Sequence, residues 1–119
     1  MTFRVLCLAP VLATLAAAPA LANATLVLAN PAPRAVVATP PQMLVLSFSV
    51  PPQMGFSEIT VTNAAGDPIP AGRPEVVNGQ PFELAVPVRI TLPGRYTVNW
   101  EIRAYSQRST GHYSFTVTQ

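Results

Sequence analysis

Apolar and polar residues alternate along the final third of the chain. Tyr96, Val98, Trp100 and Ile102 fall on one side, and Thr97, Asn99, Glu101 and Arg103 on the other. Successive side chains of a strand point to opposite faces, so this period of two predicts a half-buried strand opened by the Pro93-Gly94 turn. Tyr113, Phe115 and Val117 predict a partner strand, and the polar stretch Ala104–Thr110 between the two reads as a loop. The same signal recurs upstream in shorter pieces. Thr25–Leu28 and Val36–Ala38 are brief β-rich runs, Met43–Val50 puts Leu44, Leu46 and Phe48 on one side, and Phe56–Thr62 centres on Ile59 and Val61. Asn63-Ala64-Ala65-Gly66-Asp67 is a hairpin-type turn with a glycine for the left-handed position. Pro68–Asn78 is punctuated by proline and belongs at an edge, and Phe82–Ile90 holds one or two short strands around Pro87.

No stretch beyond residue 22 repeats at the helical period, and most of the fourteen prolines lie there. Short strands at intervals of roughly 8–12 residues, separated by turn signals, predict an all-β domain. The pattern suits a small β-sandwich or barrel, and the expected architecture is an immunoglobulin-like β-sandwich of about seven strands. The disulfide of antibody domains is excluded, because Cys7 is the only cysteine.

Cys7 falls in a segment of another kind. Arg4, the apolar run Val5–Ala18 and the small-x-small triplet Ala20-Leu21-Ala22 have the layout of a secretory signal peptide. Residues 1–22 are expected to be removed, leaving one domain, 23–119, with Asn23 at its N-terminus. The expected compartment is a periplasm or the outside of the cell, with no membrane insertion after cleavage. The mature chain would carry six Arg and no Lys against five acidic residues. With so few charges and no basic cluster, nucleic acid is not an expected partner. The sequence offers no catalytic set either. It has one histidine, His112, one aspartate, Asp67, no Gly-x-Ser-x-Gly, no phosphate-cradling loop and no zinc spacing. The protein is therefore expected not to be an enzyme.

Taken in order, the segments resemble the CopC copper-resistance domain family. Ala24–Pro33 is similar to the family's opening strand and Pro turn. Pro40-Pro41 followed by Leu44–Ser49 resembles its proline pair and Leu-x-Leu-x-Phe-Ser strand. Val61–Gly66 resembles a strand-to-turn element, Leu92–Trp100 the most specific segment, and Gly111–Val117 the C-terminal strand. The resemblance covers nearly all of 23–119. It implies a Greek-key sandwich that binds copper in the periplasm, takes part in copper homeostasis or resistance, and passes copper to a CopD-type inner-membrane transport protein.

The family's copper ligands are only partly matched. The resemblance implies a Cu(II) site made by an N-terminal His with its free amine and an Asp-x-His after the Trp strand. Nitrogen and carboxylate donors of that kind suit square-planar Cu(II). Here Asn23 keeps the amine without the imidazole, and Ala104–Thr110 has neither Asp nor His. Arg108 puts a fixed positive charge in that stretch. Of the methionines that hold Cu(I) in some members, the corresponding loop has Met54 alone. The candidate metal ligands are thus the Asn23 amine, His112 and Met54, with Cu(II) favoured over Cu(I). The alternative is a metal-free sandwich that kept the fold and acts as an interaction module, its strand edges open to a partner.

Overall fold

The computed structural model describes residues 24–119. These residues form nine strands: β1 Leu26–Asn30, β2 Val36–Val37, β3 Met43–Phe48, β4 Glu58–Thr62, β5 Pro68–Ile69, β6 Glu75–Val77, β7 Gln80–Pro87, β8 Gly94–Ala104 and β9 Gln107–Val117. β2 and β5 are two-residue pieces at sheet edges, so the count beyond them agrees with the expected seven. One sheet has the order β1-β3-β7-β6 and the other β2-β9-β8-β4-β5. All pairings are antiparallel except β2 with β9, where Val36 and Val37 lie beside Thr116 and Val117. The architecture is the β-sandwich that the alternation predicts.

The core lies where the period of two places it. Leu44, Leu46 and Phe48 of β3 and Leu84 and Val86 of β7 face Ile59, Val61, Val98, Ile102, Phe115 and Val117 from the other sheet, all of them buried. Tyr96 stacks on Phe115 with ring centroids 5.9 Å apart. Its hydroxyl donates to the Leu92 carbonyl at 2.6 Å, which ties the Leu92-Pro93-Gly94 turn to the strand it opens. This is the tyrosine corner common in such sandwiches. Tyr113 is buried beside them, and its hydroxyl has no hydrogen-bond partner. Removal from water favours the neutral phenol, and its pKa is pushed up to about 12.

One local expectation needs correction. Ala104–Thr110 is not a loop. β8 runs on to Ala104 and β9 already begins at Gln107, so only Tyr105 and Ser106 turn the chain. Both have positive φ, 53° and 65°, the pattern of a two-residue type I′ hairpin turn. The strand was hidden in the sequence because its inward positions, Ser109 and Gly111, are small rather than apolar. Gly111 must be small, since a Cβ there would come within 2.2 Å of Trp100 Cζ2. Glu101 meets Arg108 across the hairpin at 3.1 Å. Both are substantially exposed, so the pair adds little to stability.

Candidate metal centre

One end of the sandwich gathers the start of the described chain, the β3–β4 loop and the tip of the β8–β9 hairpin. Ala24 is buried, and its amide donates to Ser109 Oγ at 2.9 Å. Thr25 is held from the other sheet: its amide and hydroxyl both donate to Ser49 Oγ at 2.9 Å, and Ser49 N–H donates to the Thr25 carbonyl at 2.8 Å. The N-terminal strand is therefore clamped between β9 and the end of β3. A small cavity there is lined by Ala24, Thr25, Trp100, Arg108, Ser109 and Thr110.

Trp100 forms the wall of this cavity. It is half-buried, lies against Gly111 and meets Phe48 edge-on at 5.3 Å and 73°. Its indole Nε1 is buried without a partner. An indole N–H can only donate, so it supplies no lone pair to a metal.

The three expected ligands occupy different places. Asn23 lies outside the described residues, and its neighbour Ala24 meets the fold at Ser109. Met54 is 37% exposed in the β3–β4 loop. That loop is pinned to β8: Gln53 N–H donates to the Arg103 carbonyl at 2.7 Å, and Arg103 N–H to Ser57 Oγ at 3.2 Å. Phe56, in the same loop, is 62% exposed. His112 is exposed on the outer face of the five-stranded sheet, opposite Asn99. It borders a shallow groove of about 550 Å³ with Glu58, Thr60, Asn99, Glu101 and Thr110. Ser109, an odd position like Tyr113, points to the other face, so His112 and the Ala24 anchor lie on opposite sides of β9. Asn99 is four residues from Arg103, about 13 Å along the strand, which separates His112 from the Met54 loop.

Among the described residues no three His, Cys, Asp or Glu side chains come close enough to hold a metal ion. The described side chains alone therefore do not fit a preformed Cu(II) centre. The Tyr105-Ser106 turn carries neither carboxylate nor imidazole, and the nearby Arg108 guanidinium is turned to Glu101. Sequence reasoning missed the roles of Ser109 and Gly111. The one sign of Gly111 in the sequence is a glycine inside an alternating strand pattern, which marks close approach of another group.

Comparison with known proteins gives a consistent result. The family model described as the CopC domain matches residues 26–118. Protein YobA of Escherichia coli K12 is 38% identical over 101 residues, which cover 81% of this chain and 79% of that protein. The crystal structure of CopC from Methylosinus trichosporium OB3b superposes with a TM-score of 0.74 at 24% identity, over 80% of this chain and 93% of that one. PcoC, a methionine-rich copper resistance protein from Escherichia coli, gives 0.72 at 26% identity, over 82% and 100%.

Proposed function

The chain belongs to the CopC domain family, and on that premise we propose that it is an exported protein of copper homeostasis or resistance. It binds copper, or passes it on, without catalysing a reaction. The observation that carries this reading is the family match over 26–118, supported by the likeness to a copper resistance protein. Residues 1–22 act as the signal peptide, the domain 23–119 works in the periplasm, and a CopD-type membrane protein is the natural recipient of its copper.

In this reading the N-terminus is the first point of attachment. Cleavage after Ala22 frees the α-amine of Asn23, one residue before the clamped Ala24. An α-amine ordinarily titrates at about 7.7–8, so a copper ion can displace its proton at neutral pH. Backbone groups of the same segment add nitrogen or oxygen donors that suit Cu(II). Met54, at the same end of the sandwich, adds a soft thioether for Cu(I), and His112 is the one imidazole available.

Titration of the cleaved protein with Cu(II) in air and Cu(I) without oxygen tests the proposal. Binding should exceed that of a glycine competitor and fall sharply when the N-terminal amine is acetylated. His112→Ala and Met54→Leu then report whether either side chain takes part. Binding no tighter than glycine would remove the direct metal role. A metal-free interaction module is favoured by one observation, that the described side chains do not converge on a metal site. That reading predicts a protein partner whose co-purification is unaffected by chelators.

A further inference from the structure

The other end of the five-stranded sheet carries two arginines without carboxylate partners. Among the described residues the one ion pair is Arg108 with Glu101, so neither Arg34 nor Arg95 is neutralised by an acid. The two nonetheless line a single cleft of about 170 Å³ with Ser114, Phe115 and Thr116. Arg95, on β8, lies beside Thr116 of β9. Arg34 approaches from the opposite side of β9, where its amide donates to the Ser114 carbonyl at 2.6 Å. The outward-facing hydroxyls of Ser114 and Thr116 lie between them, and Ser114 Oγ is 3.1 Å from Thr97 Oγ1.

The backbone at Arg34 is unusual for its residue type. Ala35 N–H bonds to the Ala32 carbonyl at 3.0 Å, closing a turn with Pro33 at its second position and Arg34 at its third, where φ is 65°. Those are the features of a type II turn, whose third position is ordinarily Gly or Asn. A residue with a long cationic side chain is thus held in a conformation that costs less for glycine, at a cleft that a second arginine also lines. Two exposed cations lining one cleft raise the local positive potential, which favours a negative group there.

We propose that Arg34 and Arg95, with the hydroxyls of Ser114 and Thr116 between them, form an oxyanion site for a phosphate group. A planar carboxylate is satisfied by one guanidinium fork. Donors arriving from both sides of a strand and from its surface match a tetrahedral oxyanion better. The phosphate is either free in solution or part of a lipid headgroup.

The test is an NMR titration of the purified protein with inorganic phosphate, against chloride at equal ionic strength. Saturable shifts should appear at the amides of Arg34, Ser114 and Thr116 and at the Arg34 and Arg95 side chains. Arg34→Gly and Arg95→Gln should each weaken the affinity about tenfold or more, the loss expected for one charge-assisted hydrogen bond. Arg34→Gly relieves the turn, so its melting temperature should not fall, which separates lost binding from lost folding. Flotation with phosphatidylglycerol vesicles, against phosphatidylcholine, distinguishes the sources. Vesicle binding that inorganic phosphate competes away and both variants lose assigns a headgroup, and phosphate binding without vesicle binding assigns a free anion. A phosphate response no larger than that of chloride, or one that both variants retain, overturns the proposal.

Discussion

The β8–β9 hairpin is built differently at its two ends. At the root, large rings fill the inward positions: Tyr96 and Phe115 stack, and Val98, Tyr113 and Val117 are buried around them. Near the tip the inward positions of β9 are Ser109 and Gly111, and one indole, Trp100, lies over the space they leave. The root is closed by its own side chains against the opposite sheet. The tip is closed by a separate segment, Ala24 and Thr25, which bridges Ser109 and Ser49. The contrast separates two tasks along one hairpin. Packing density at the root defines the fold, and small residues at the tip make room for the N-terminal segment to which the copper reading assigns the ligand amine.

Substitutions can break or sharpen this contrast. The largest effect is expected for Phe115→Ala, which empties the root and should cost about 4 kcal/mol in urea denaturation. A cost under about 1 kcal/mol would show that the root is not the heavier anchor. Gly111→Ala pushes a methyl group into the indole and should cost about 2 kcal/mol. It should also shift Trp100 fluorescence to the red as the ring is displaced toward water, and an unchanged spectrum would refute the account of the tip.

Tyr113→Phe works in the opposite direction. It removes a buried hydroxyl that has no partner and should stabilise the protein by about 1 kcal/mol. The pH dependence follows from linkage. The folded pKa of about 12 exceeds the ordinary value of 10.0, so the folded state keeps its proton where the unfolded state has lost it. Stability should therefore be intact below about pH 10 and decline from there toward pH 12, and the Phe variant should lose the part of this decline due to Tyr113. The smallest effect is expected at the tip, where Ser106→Gly relieves a positive φ and should gain up to about 1 kcal/mol, read as a rise in Tm.

The root was legible in the sequence for the reason that makes it stable. Tyr96, Val98, Phe115 and Val117 alternate with polar residues, and burial selects that alternation directly. The tip was not. Ser109 and Gly111 fit against a ring and the Ala24 amide rather than an apolar layer, so a real strand reads as a loop. The cross-hairpin pair of Glu101 and Arg108 was hidden by the same error, because their proximity depends on pairing through to Gln107. The candidate ligands could be named by residue type, but their separation could not. Which face of β9 carries His112 was readable from the period of two, while the position of Ala24 against Ser109 depends on a contact between residues 85 apart in sequence.

That last contact also constrains how the chain folds. Ala24 is held by β9, and β2 pairs with the same strand, so both segments at the start of the domain depend on a strand that follows them by about 70 residues or more. During synthesis, neither can reach its final place until residues 107–117 have been made. Closing such a long loop carries an entropic cost before any contact rewards it, and topologies of this kind fold slowly. The clamp at Ser109 therefore ties completion of the sandwich to the arrival of β9.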